Sequence, residues 1–152
     1  MSKMSGKKNL LKISLLAGLL GLVGGLTVWG MATGSGYHFF PLPAGLAACG
    51  TTAGLWWLIV DRRDSYNLWA GALAGALSGG VAHYLNWYLQ IVAANVCYHF
   101  TGGCAGSLGE PPVDLLNGLW GAAVLSLLSL LLVGWITVPL GAVIGAWWGT
   151  QG

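Results

Sequence analysis

Residues 61–80 read DRRDSYNLWAGALAGALSGG, and the two halves of that stretch decide the fold. Asp61, Arg62, Arg63 and Asp64 form a short charged turn between long apolar runs. Basic side chains at such a turn are retained on the cytoplasmic side during membrane insertion. Behind the turn, Gly71, Gly75 and Gly79 recur at every fourth position. That spacing places all three on one helix face, where a second backbone can approach closely.

Working outward, the only other basic residues are Lys3, Lys7, Lys8 and Lys12, so all six lysines and arginines lie within the first 63 residues and in two places. Putting both clusters in the cytoplasm predicts a bacterial inner-membrane, multi-pass protein whose N- and C-termini are both cytoplasmic. Charged residues make up 7% of the chain and hydrophobic residues 56%, against roughly a quarter charged in soluble domains. A soluble fold is excluded. The 152 residues accommodate about four spans of ~20 residues and no separate aqueous domain. The expected architecture is therefore all-α, a polytopic four-helix transmembrane bundle occupying 1–152 as a single integral membrane domain. The lysine-rich start, with Arg62 and Arg63, suits anionic lipid headgroups and not nucleic acid. MSKMSGKKNLLK before an apolar run also imitates a signal peptide, with Gly30 and Ala32 as a poor cleavage site, and is expected to be retained.

The spans are expected near 10–31, 42–60, 68–92 and 119–148. Pro41 and Pro43 open the second, and Asp64 or Ser65 is placed to cap the third. No breaker interrupts Leu68 to Phe100, a helix of ~50 Å at ~1.5 Å per residue, well beyond a ~30 Å hydrocarbon core. The fourth helix, capped by Asp114, is equally long and uncharged, with a kink expected near Pro139. Trp56, Trp57, Tyr66, Trp69, Trp147 and Trp148 would gather at the inner interface, and Trp29, Tyr37, Tyr84, Trp87 and Tyr88 near the outer one.

A second glycine trio, Gly141, Gly145 and Gly149, lies at the end of the fourth helix. Antiparallel packing of a glycine-zipper kind would pair Gly71 with Gly149, Gly75 with Gly145 and Gly79 with Gly141, leaving Ala70 towards lipid. Shorter pairs occur as Gly21 with Gly25 and Gly50 with Gly54. Such faces serve either internal packing or another subunit. A faint likeness of LLAGLLGLVGG to LWAGALAGALSGG is within reach of Gly, Ala and Leu composition alone.

Candidate chemistry is sparse. His83, Asn86 and Gln90 continue the glycine face of the third helix, and extending the helix pairing places His83 beside Thr137. Polar groups at that depth need protein, water or a ligand as partner. His38, His83 and His99 do not form an evident haem pair, and His38, Cys97, His99 and Cys104 match no closed zinc pattern. No cofactor or metal is expected. The four acids, Asp61, Asp64, Glu110 and Asp114, fall in loops or caps, leaving no intramembrane carboxylate for acid–base catalysis, so an enzyme is not expected. Cys97 and Cys104 flank YHFTGG on the outer side and form a candidate disulfide. The function read from these features is a non-catalytic accessory or assembly subunit that binds another integral membrane protein or itself. The alternative is a small homo-oligomeric channel or transporter with His83, Asn86 and Gln90 along a polar path.

Overall fold

The computed structural model describes residues 3–31, 39–105 and 109–151, with side chains from residue 9 onward. Lys3, Lys7, Lys8 and His38, assigned above to lipid contact or metal chemistry, have side chains outside that description. Four continuous helices follow one another: α1 (Lys3–Met31), α2 (Pro41–Asp61), α3 (Leu68–Thr101) and α4 (Leu115–Gly149). No strand occurs among the described residues. Three stretches are long and apolar enough to cross a membrane, Asn9–Met31, Pro41–Asp61 and Leu115–Gly149. The chain is thus an all-helical membrane protein. α3 has the length but not the apolarity, because Ser78, His83, Asn86, Gln90, Asn95 and its glycines dilute it.

The helix ends are fixed by local hydrogen bonds. Asn67, not Asp64 or Ser65, caps α3: its Oδ1 accepts from the Ala70 N–H at 2.9 Å. Asp64 is held in the turn at φ 47°, and the Ser65 hydroxyl donates to the Arg63 carbonyl, so neither is free to cap. At the far end Gly102 adopts φ 67° and returns its N–H to the Tyr98 carbonyl, a left-handed stop that costs a Cβ-free residue little. Asp114 caps α4, accepting from the N–H groups of Leu116 and Asn117 at 3.1 and 3.0 Å. Those Asn117 contacts, backbone first and then side chain, hold the Asp114 carboxyl below its ordinary range.

Both α2 and α4 contain one π-turn, Trp57–Asp61 and Leu130–Gly134. Pro139 lies inside α4, yet the departure from α-geometry sits in the turn before it. Proline lacks an N–H and its ring crowds the carbonyl four residues back, so the distortion is absorbed upstream. There the Trp135 indole donates to the Leu132 carbonyl at 2.9 Å.

Consecutive helices are neighbours, α1 on α2, α2 on α3 and α3 on α4. The α3–α4 seam is backbone on backbone. A methyl added to Gly71 would strike the Gly145 carbonyl, and one on Gly75 would strike that of Gly141. The glycines interleave instead of meeting in the expected level pairs: Gly145 lies between Gly71 and Gly75, and Gly149 between Asn67 and Gly71. Gly79 faces Thr137, whose carbonyl oxygen would be 2.7 Å from an added Cβ, and not Gly141. A half-step offset seats each Cα–H over a carbonyl of the other helix, a favourable weak contact. α1 meets α2 similarly through Gly21 against Ala44 and Gly25 against Pro41. Gly50 and Gly54 have nothing within 4 Å of an added Cβ and serve no seam.

At the charged-turn end, Ile13, Trp56, Val60 and Ala74 form a buried cluster, with Ala70, Tyr66 and Trp148 packed against it. Ala70 therefore points inward and Trp56 is a core residue, not an interfacial one, because α1 crosses α2 at that level. The Tyr66 hydroxyl donates to Asp61 Oδ1 at 2.9 Å. Burial first, then that bond and the charges of Asp61 and Asp64, push its phenol up to about 12. It stays a neutral donor tying the turn to α3. Arg62 lies over the Trp57 ring, 5.7 Å from its centroid.

At the other end Cys97 and Cys104 are joined by a disulfide, their Cα atoms 5.9 Å apart. Differential alkylation should find Cys49 as the one thiol reactive before reduction, and reduction should destabilise the end of α3 by on the order of 2 kcal/mol. In the α3–α4 seam, Gly75→Leu or Gly145→Leu should lower thermal stability in detergent by ~1–3 kcal/mol through overpacking. Gly80→Ala, with open space around its added Cβ, should leave the melting midpoint unchanged.

Candidate functional site

Above the glycine seam, α3 turns polar and meets α4 through side chains. His83 Nδ1 lies 2.7 Å from Ser129 Oγ, and Nε2 lies 2.9 Å from Thr137 Oγ1. A neutral imidazole has one N–H and one lone pair, and each hydroxyl can donate or accept, so both contacts are satisfied together. Thr137 stands where the helix pairing places it. Ser129 was not singled out from the sequence, for a geometric reason. Residues eight apart on a regular α-helix differ by about 80° around the axis, at 3.6 residues per turn. The π-turn Leu130–Gly134 lies between Ser129 and Thr137 and inserts one residue into the turn. The two then behave as if seven apart, within about 20° of each other, and one imidazole can bridge them.

Asn86, one turn further along α3, is 9% exposed, and its Oδ1 is buried with no hydrogen-bond partner. Gln90 Nε2 and the Trp87 indole nitrogen are likewise buried and unpaired, with Trp87 edge-on to Phe40 at 5.6 Å between ring centroids. Asn95 is satisfied, donating to the carbonyls of Ile91 and Val113 and so tying α3 to the strap before α4.

His83, Asn86, Ser129 and Thr137 line a cleft of about 350 Å3 bounded by all four helices; Gln90 does not reach it. The cleft exists because α1 rests on α2 while α4 rests on α3, so the two outer helices flank the middle pair without closing on each other. Its walls are apolar, with Leu16, Leu20 and Val28 from α1 facing Leu140 and Ile144 from α4. A mostly apolar concavity with few polar groups is the ordinary form of a small-molecule site.

The remaining candidates do not assemble. His99 stacks edge-on with Tyr98 at 5.5 Å, and Cys97 and Cys104 direct their sulfurs to each other. No group of three or more His, Cys, Asp or Glu side chains capable of holding a metal ion occurs among the described residues. Comparison of the chain with protein-family models, with curated proteins and with solved structures found no match.

Deleting the His83 bridge should be measurable. His83→Ala removes two inter-helix hydrogen bonds and should cost ~1–2 kcal/mol of thermal stability in detergent. Ser129→Ala removes one and should cost about half as much, read from the same melting curves.

Proposed function

We propose that this chain is a non-catalytic accessory or assembly subunit of a membrane protein complex, crossing the bacterial inner membrane four times with both termini in the cytoplasm. The observation that carries the reading is the length of apolar surface left uncovered on α4. Its 35 residues extend ~52 Å at ~1.5 Å per residue. Even a 40° tilt, the upper end for membrane helices, uses only about 39 Å of helix across a ~30 Å core. About 13 Å, more than two turns, is left outside the hydrocarbon. On the charge-based orientation those turns are the outer ones, beginning at Leu115.

That end is not polar. Leu116 and Trp120 are 78% and 77% exposed, and Phe100 at the adjoining end of α3 is 85% exposed. Clustered apolar side chains beyond the hydrocarbon call for a protein cover. The partner is a second integral membrane protein with an apolar outer face at matching height. The glycine trios act within the chain as a glycine zipper that holds α3 and α4 together, so they are not the docking surface. A channel with His83, Asn86 and Gln90 around a shared axis draws less support, because His83 turns both ring nitrogens to α4 of its own chain.

A photo-crosslinker at position 120 should capture one protein at fixed stoichiometry in native membranes, whereas one at position 143 in the lipid zone should not. The double variant Leu116→Gln, Trp120→Ser should keep its melting temperature and lose the partner. Reporter fusions should place residues 63 and 151 inside and residue 110 outside. A chain that yields no adduct at position 120 and purifies alone in mild detergent would overturn the reading.

A further inference from the structure

The intrachain cleft is a different surface from the outer ends of α3 and α4, and its dimensions select its occupant. It runs along α1 from Ile13 to Val28, fifteen residues or about 22 Å of helix. A volume of about 350 Å3 spread over that length has a mean section of about 16 Å2, some 4–5 Å across. A helix with its side chains is ~10 Å across and does not fit. A single file of methylenes, whose carbons contact neighbours at ~4 Å on each side, does.

The second observation is Asn86. It lines the cleft, is nine-tenths buried, and leaves Oδ1 without a partner, an expensive state at a buried position. Neighbouring polar groups are already committed: His83 to Ser129 and Thr137, and the Ser78 hydroxyl to the Ala74 carbonyl. A ligand completing the site must therefore bring a donor to Asn86. Asn86 lies eighteen residues beyond Leu68, about 27 Å along α3, near the outer limit of a ~30 Å core. That is the depth of a lipid's head linkage.

We infer that the cleft between α1 and α4 binds one lipid hydrocarbon chain whose head end carries an O–H or N–H donor for Asn86. The chain runs inward along Leu20 and Leu16, and the polar end rests at the level of Asn86. The donor class includes the hydroxyl of a glycerolipid and the amine of an ethanolamine headgroup, which share this chemistry.

Gly24 gives a clean test, because it lines the cleft while a Cβ added there meets nothing within 4 Å. Native mass spectrometry of the full chain, titrated with a sixteen-carbon alkyl alcohol, should show one bound molecule per protein, and Gly24→Phe should reduce that occupancy at least tenfold without lowering the melting temperature. The methyl ether of the same alcohol lacks the donor and should bind about tenfold more weakly, and Asn86→Val should abolish that preference while retaining chain binding. Titration with a monoacylglycerol and with a phosphatidylethanolamine then separates hydroxyl from amine recognition, whichever binds more tightly. Equal uptake by wild type and Gly24→Phe would overturn the site, and equal binding of alcohol and ether to the wild type would overturn the role of Asn86.

Discussion

The contact on which the rest of this molecule depends is backbone against backbone, where Gly71, Gly75 and Gly79 of α3 meet Gly141, Gly145 and Gly149 of α4. In a bilayer the lipid tails are as apolar as leucine, so helices gain little by hiding hydrophobic side chains from one another. What holds them is close packing, and close packing needs the absent Cβ atoms: a methyl on Gly75 or Gly145 would overlap a carbonyl across the seam. Because the seam is that tight, the register of the two helices is set almost to the atom. The interleaving of Gly145 between Gly71 and Gly75 carries upward along both helices and brings His83 to Thr137.

The π-turn of α4 gains its meaning from this register. A regular helix would present either Ser129 or Thr137 to His83, and the widened turn presents both. Pro139 supplies a local cause for the distortion, since the carbonyls before a proline lose their usual donor. The polar clamp and the glycine seam together make α3 and α4 one unit. The α1–α2 pair has its own small-residue seam at Gly21 and Gly25, and joins that unit chiefly through α2 on α3 and the buried cluster around Trp56. Two pairs joined along their middle helices leave a trough between their outer ones, and the cleft is that trough.

Parts of this were legible in the amino-acid order because they are local or periodic. Confinement of every basic residue to two short segments is a statement about side of the membrane, and needs no fold. Four-residue glycine spacing defines a face from helix geometry alone. Asp114 stands just before an apolar run, and its capping of α4 depends only on the next three residues. The capping of α3 was harder, since Asp64, Ser65 and Asn67 all carry suitable oxygens and the choice falls to the turn, where Asp64 takes a positive φ.

The sequence by itself determined that the chain is helical and membrane-embedded, which helix faces are bare of side chains, and which few polar residues lie among apolar ones. Each follows from composition, charge placement or a 3.6-residue period. Tertiary structure alone decided which bare face meets which, with a half-step offset that Cα–H to carbonyl contact favours and that periodicity cannot specify. It also selected Ser129, eight residues from Thr137, because only a π-turn aligns them. It placed Trp56 in the core and left Asn86 unpaired in a cleft between helices far apart in sequence. Enclosure is a property of where four helices stop approaching each other, and no single segment contains it.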